Sequence, residues 1–128
     1  MLGPLTASVD LSAADAKLVG ETPSDAAGVA VGLVKVRVFR PFPVEALRQA
    51  LAGARRVVVL DRNCSYGASG IFYQELRAAM CDVELAPPIH GFIAGMGGRD
   101  VTPATVKAAV RMSTKGVRPA PQSVWLSE

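Results

Sequence analysis

The chain has 128 residues, half of them hydrophobic and a fifth charged, with a formal net charge of +3. That length suits one domain with a core of its own, and the composition excludes a disordered chain. The basic residues are scattered, with Arg55-Arg56 the only adjacent pair, which argues against nucleic acid as a partner. No apolar run is long enough to span a bilayer, and Met1 to Asp10 lacks the basic-then-apolar order of a signal peptide, so a cytoplasmic location is expected.

Residues 1–28 read as a variable N-terminal helix and loop. Val9, Ala13, Ala16 and Val19 share a loose apolar face, which predicts a helix from Thr6 to Val19. Gly20 to Gly28 reads as a loop punctuated by Gly and Pro. An α/β core is expected over 29–115. Val34, Val36 and Val38 mark a strand within Val29 to Phe39, which Pro41 and Pro43 stop. Pro43 suits the first turn of a helix whose apolar face is Val44, Leu47 and Leu51.

Val57 to Leu60 is a second strand, and it lacks polar alternation, as expected of a strand covered on both faces. Phe72, Leu76, Ala79 and Met80 then repeat at helical spacing, with Cys81 read as a packing residue behind them. Ile89 to Ala94 is a third strand candidate, broken by Gly95 to Gly98. Thr102 as N-cap and Pro103 at the first helical position open a further helix, with Val106 and Val110 expected to face inward. The segment 116–128 is proline-rich and expected to be an extended tail, its lone Trp125 suited to docking on another surface. Strands alternating with helices predict a three-layer α/β/α fold on a mostly parallel sheet.

In such sheets, ligands and partners meet the carboxyl ends of the strands. Three loops there are unusual: "FRPFP", "DRNCSYGASG" and "GMGGRD". Together they would place Arg40, Asp61, Arg62, Asn63, Ser65, Arg99 and Asp100 on one rim, beside the backbone of Gly67, Gly70, Gly97 and Gly98. Glycine-flanked N–H groups at the helix start after Ser65 attract anions, yet tight turns explain the same glycines. The Gly-Lys-Ser/Thr ending of a phosphate loop and a dinucleotide fingerprint are both absent. Asp61 and Arg62 suit a structural ion pair or a contact with a neighbouring chain, or else an acid and its orienting cation. Cys64 would need His90 brought to it in space to serve as a nucleophile. Two cysteines without metal-ligand spacing do not make a zinc or iron–sulfur site. No residue of this chain is therefore expected to be catalytic, and none to bind a metal.

"VGLVKVRVFRPFPVEALRQAL", "VVVLDRNCSYGASG" and "GFIAGMGGRDVTP" occur in that order between Val31 and Pro103, and the likeness they carry covers about residues 29 to 106. This combination resembles domain II of the pyruvate:ferredoxin and related 2-oxoacid:ferredoxin oxidoreductases, the C-terminal part of the α subunit in multi-chain forms. The resemblance implies a fold similar to the transketolase C-terminal domain. Met1 falls where that domain's first strand would end, and residues 20–28 look like an insertion. It also implies oxidative decarboxylation of a 2-oxoacid, pyruvate foremost, to acyl-coenzyme A with electrons passed to ferredoxin. Thiamine diphosphate, magnesium and iron–sulfur clusters are implied in the complex and none in this chain alone, which lacks a thiamine signature. The implied partners are the thiamine- and cluster-bearing chains, with ferredoxin and coenzyme A at the level of the complex. Arg40, Ser65, Gly67 and Gly70, together with the motif-matching Asp61, Arg62, Asn63, Gly97, Gly98, Arg99 and Asp100, become expected interdomain or near-site contacts. The alternative is a free-standing module that uses the glycine edge to bind an anion such as coenzyme A or a nucleotide.

Overall fold

A computed structural model describes residues 7–12, 15–21, 32–115 and 118–126. The chain divides into two compact units, Met1–Ala54 and Arg55–Glu128. The boundary falls inside the stretch 29–115.

In the first unit, β1 (Ala7–Ser12) pairs antiparallel with β2 (Asp15–Glu21) and parallel with β3 (Leu33–Val36), giving the order β2-β1-β3. The helix expected from Thr6 to Val19 is thus a β-hairpin over its described residues. The sequence explains why. Ala7, Val9 and Leu11 alternate with Ser8, Asp10 and Ser12, a period of two that a strand can use and a helix cannot. The register sets Asp10 opposite Lys17, and β3 supplies the pairing partner that local propensity omits. Of the loop expected over residues 20–28, Gly20 and Glu21 close β2 and the remainder lies outside the described residues. Helix α1 (Val44–Leu51) follows Pro43, which stands as its N-cap, and buries Leu47 and Leu51. It lies against β1 and β2.

The second unit is built on an entirely parallel sheet of order β4-β5-β6, comprising β4 (Val57–Asp61), β5 (Ile89–Ile93) and β6 (Val124–Trp125). Helix α2 (Ile71–Met80) connects β4 to β5, and α3 (Pro103–Lys115) precedes β6. All five residues of β5 are buried, so both faces of the central strand are covered. The register places Val57, Val59 and Asp61 beside Ile89, Gly91 and Ile93 on one face. Helix α2 covers that face: its Tyr73 ring lies directly over Gly91, and Tyr73, Leu76, Ala79 and Met80 are buried. His90 and Phe92 fill the other face, and α3 is the second helix packed on β4. This is the α/β/α arrangement expected from the sequence.

Two details differ from expectation. The inward face of α3 is Thr105, Ala109 and Ser113, whereas Val106 is exposed. Thr102 and Thr105 set this rotation. The Thr105 N–H donates to Thr102 Oγ1 at 3.3 Å and the Thr102 N–H to Thr105 Oγ1 at 3.2 Å, which turns Thr105 toward the helix entry and moves the stripe by one position. The small side chains let α3 approach closely. Cys81 is exposed rather than packed, because it stands at the C-cap where α2 leaves the sheet.

At the amino end of the sheet, Arg56 Nη1 donates to the Ser113 carbonyl at 2.7 Å. A cation thereby meets the negative end of α3. His90 is buried nearby, and that burial, followed by the positive charge of Arg56, pushes its imidazole below the ordinary value of 6.5. The unfolded chain then binds a proton that the folded chain refuses. Stability from this group is present above 6.5 and is lost as pH falls toward the lowered folded value. Replacing His90 with glutamine is expected to flatten the acid side of the stability–pH curve, measured as urea midpoints between pH 7 and 5.

Candidate functional site

The loop after β4 is organised by Asp61. Its side chain is only 4% exposed and accepts the Phe72 N–H at 3.2 Å on Oδ1 and the Tyr73 N–H at 3.1 Å on Oδ2. Asn63 Oδ1 accepts the Ile71 N–H at 2.9 Å, and Ser123 Oγ accepts the Gly70 N–H at 3.2 Å. These are the donors that a helix start leaves without intrahelical partners, and here all of them are satisfied from within the unit. The helix start therefore offers no vacant cradle to a phosphate. Asp61 is itself the anion at this terminus. Burial pushes its carboxyl above the ordinary 3.8, against the smaller opposing effect of the Tyr73 and Phe72 N–H groups.

Ser69 and Ser123 form a clasp. The Ser123 N–H donates to Ser69 Oγ at 2.9 Å while Ser123 Oγ accepts from Gly70. The Tyr73 hydroxyl donates to the Ala120 carbonyl at 3.1 Å, Arg77 Nη1 reaches the Pro121 carbonyl at 3.1 Å, and the Leu126 N–H donates to the Ile93 carbonyl at 2.9 Å. The described part of the tail is thus sewn along α2 and β5. Nothing in the spacing of Ser69 and Ser123 announces this. Gly91 did leave a signal, since a glycine inside an apolar strand marks a close approach.

Between these elements, Ser65 to Ala68 make a tight turn, with the Ser65 N–H on the Ser69 carbonyl and the Ala68 N–H on the Ser65 carbonyl. Gly67 takes its left-handed position. Cys64 Sγ sits 3.4 Å from the Ser65 carbonyl and 3.3 Å from that of Ala68. His90 pairs with Val58, near the beginning of β4, whereas Cys64 follows its end. The two stand at opposite ends of the sheet, so the nucleophile pair is not formed.

Two of the three unusual loops do meet. Arg62 Nη2 lies 3.4 Å from the Arg99 carbonyl, and a methyl group at Gly95 would come within 3.0 Å of Arg62 Nε. Arg62 thus spans the loop after β4 and the loop after β5, at the carboxyl edge of the sheet. Asp61 and Arg62 make no ion pair among the described residues: one turns into α2 and the other across the rim. Arg62, Asn63, Gly67, Gly97, Gly98, Arg99 and Asp100 are exposed there, while Asp61 and Gly70 are buried within the unit. Arg40 belongs to the first unit, where it stacks over the Phe39 ring at 4.2 Å. Among the described residues no three of His, Cys, Asp and Glu are grouped to hold a metal ion.

Comparison with known proteins adds a family. Residues 12–106 match the model described as pyruvate:ferredoxin oxidoreductase core domain II, a match that begins before the first of the three motifs. The pyruvate synthase subunit PorA of Methanothermobacter thermautotrophicus is 48% identical over 84 residues, covering 66% of this chain and 21% of that protein. The subunit PorA of Thermotoga maritima is 38% identical over 89 residues, covering 70% and 23%. The ketoisovalerate oxidoreductase subunit VorA of Pyrococcus horikoshii is 43% identical over 81 residues, covering 63% and 21%. The chain therefore spans between a fifth and a quarter of the length of these curated relatives and matches no solved structure. An all-parallel sheet layered between helices, with two of the three motifs at its strand ends and a family match across most of the chain, makes this chain a member of the pyruvate:ferredoxin oxidoreductase core domain II family.

Proposed function

We propose that this chain serves as one part of a 2-oxoacid:ferredoxin oxidoreductase, with pyruvate as the 2-oxoacid. The reaction of the whole is oxidative decarboxylation to acyl-coenzyme A, with electrons passed to ferredoxin. The contribution of these 128 residues is architectural. The exposed rim of Arg62, Asn63, Gly67, Gly97, Gly98, Arg99 and Asp100 meets neighbouring chains and helps to position their cofactors, with Arg40 and Ser65 as further contacts. The single observation that carries the reading is the family match over residues 12–106, within which Arg62 ties two of the family motifs together at one sheet edge.

Thiamine diphosphate, magnesium and iron–sulfur clusters belong to the partner chains in this reading. The residues present here do not fit those groups. Both oxygens of Asp61 already hold backbone N–H groups, and the two thiols, Cys64 and Cys81, are too few for the usual four-thiolate cluster. The location is the cytoplasm; among the described residues no helix is long and apolar enough to cross a membrane.

Affinity capture from the native source tests the proposal. The tagged chain is expected to bring down thiamine- and cluster-bearing chains, identified by mass spectrometry. Recovery of the chain alone, as a stable monomer, would contradict it.

A further inference from the structure

The carboxyl ends of β5 and β6 open onto a groove of about 490 Å3, lined by residues 93–97 with Arg99, Trp125 and Leu126. Its floor is apolar, from Ile93, Ala94 and Leu126. Trp125 is 56% exposed, a large apolar surface left uncovered among the described residues. Arg99 stands at the lip, and Arg62 crosses beside it to the Arg99 carbonyl. Neither guanidinium meets a carboxylate among the described residues. Neither Asp100, the adjacent acid, nor Arg62 itself lines the groove; Arg99 is the cation in its wall.

We infer that this groove seats an extended acidic segment of a partner chain, which places a carboxylate against Arg62 and Arg99 and an apolar side chain on Trp125. The inference rests on the architectural role proposed above and names the chemistry of the contact. Charge complementarity selects the occupant: Arg99 in the lining, with Arg62 beside it against the Arg99 carbonyl, calls for an anion, and guanidinium forks suit a planar carboxylate. The aromatic and aliphatic floor calls for an adjoining apolar group, since Trp and Arg together are the residue types that anchor protein interfaces. A free phosphate offers no apolar group to Ile93, Ala94, Trp125 and Leu126, and a nucleotide is distinguished by the titration below.

Trp125 is the sole tryptophan, so the groove carries its own reporter. The full chain is titrated with a capped peptide of alternating leucine and glutamate, with its leucine–lysine counterpart, and with pyrophosphate and coenzyme A. The acidic peptide is expected to shift Trp125 emission saturably. Its affinity should fall as salt rises and drop about tenfold, some 1.4 kcal/mol, in Arg62→Gln and in Arg99→Gln, with Arg99→Lys retaining more. Circular dichroism of each variant checks that the fold is kept. Equal binding of both peptides, no shift up to millimolar peptide, or undiminished binding by both glutamine variants would each overturn the inference. A shift with pyrophosphate or coenzyme A alone would overturn it in favour of a small anion. Affinity capture distinguishes loss of the groove contact from loss of the family-level function. If wild type and the Arg62→Gln/Arg99→Gln double variant recover the oxidoreductase chains equally, the groove loses its role and the family-level function stands. If wild type recovers none, that function fails whatever the peptide does.

Discussion

Replacing Asp61 with alanine is expected to lower the stability of the second unit by about 2–4 kcal/mol, because it strips the acceptors from two N–H groups in the first turn of α2. The Tyr73 bond is fully buried, so water cannot replace the lost oxygen there without opening the packing of α2 on β4. Asp61→Asn is the informative companion. It keeps one acceptor and turns an NH2 toward the other donor, so about half of the loss is expected. The two variants also differ from wild type in pH dependence. Burial holds the Asp61 carboxyl above 3.8 in the folded chain, so the folded state keeps a proton that the unfolded state releases. The contribution from this group is complete below 3.8 and declines as pH rises through the folded value. Both variants should lack that decline. Urea midpoints from pH 3 to 7 provide the measurement, and an unchanged midpoint in Asp61→Ala would refute the capping role.

The second large effect is expected at Gly91. A methyl group there would lie 2.6 Å from Cγ and Cδ2 of Tyr73 and 2.7 Å from Ser123 Oγ. Neither neighbour is free to retreat. The Tyr73 ring is 1% exposed, and its hydroxyl is tied to the Ala120 carbonyl and to Arg77. Ser123 holds Gly70 and Ser69. Gly91→Ala should therefore cost about 2–3 kcal/mol by overpacking, and it should release the tail before the rest of the unit. Hydrogen exchange would show the Leu126 and Ser123 amides losing protection at denaturant concentrations where β4 and β5 remain protected. Gly97→Ala is the contrast. An added methyl there meets nothing within 4 Å, but φ is +70°, so only the left-handed backbone is penalised, by about 1–2 kcal/mol, with the tail unaffected. Equal tail protection in wild type and Gly91→Ala would refute the clasp.

The parts of this fold that were legible in the sequence are those whose pattern is local. Val57 to Leu60, three members of the Phe72/Leu76/Ala79/Met80 stripe, the strand within Ile89 to Ala94 and the Thr102-Pro103 helix start each announce themselves within a few residues, although Tyr73 and not Phe72 completes the buried face. What escaped depends on distant partners. The hairpin β1–β2 was hidden because Val9, Ala13, Ala16 and Val19 satisfy a helical period that competes with the two-residue alternation of Ala7 to Ser12, and pairing with β3 favours the strand. Asp61 read as a rim residue because its partners, Phe72 and Tyr73, lie eleven and twelve positions away. The two residues of β6 form a strand only because β5 already lies alongside them. Of the rim expected to hold Arg40, Arg62 and Arg99 together, the structure joins the loops of Arg62 and Arg99 through a single guanidinium, whereas Arg40 belongs to the first unit.

Reconstitution is the most direct test of the proposed architectural role. The remaining chains of the oxidoreductase, purified without this one, are assayed for pyruvate-dependent reduction of ferredoxin before and after the 128-residue chain is added. The account predicts little turnover in its absence, restoration on addition, and none from the chain alone. Full turnover without it, or pyruvate oxidation by the isolated chain, would contradict the account.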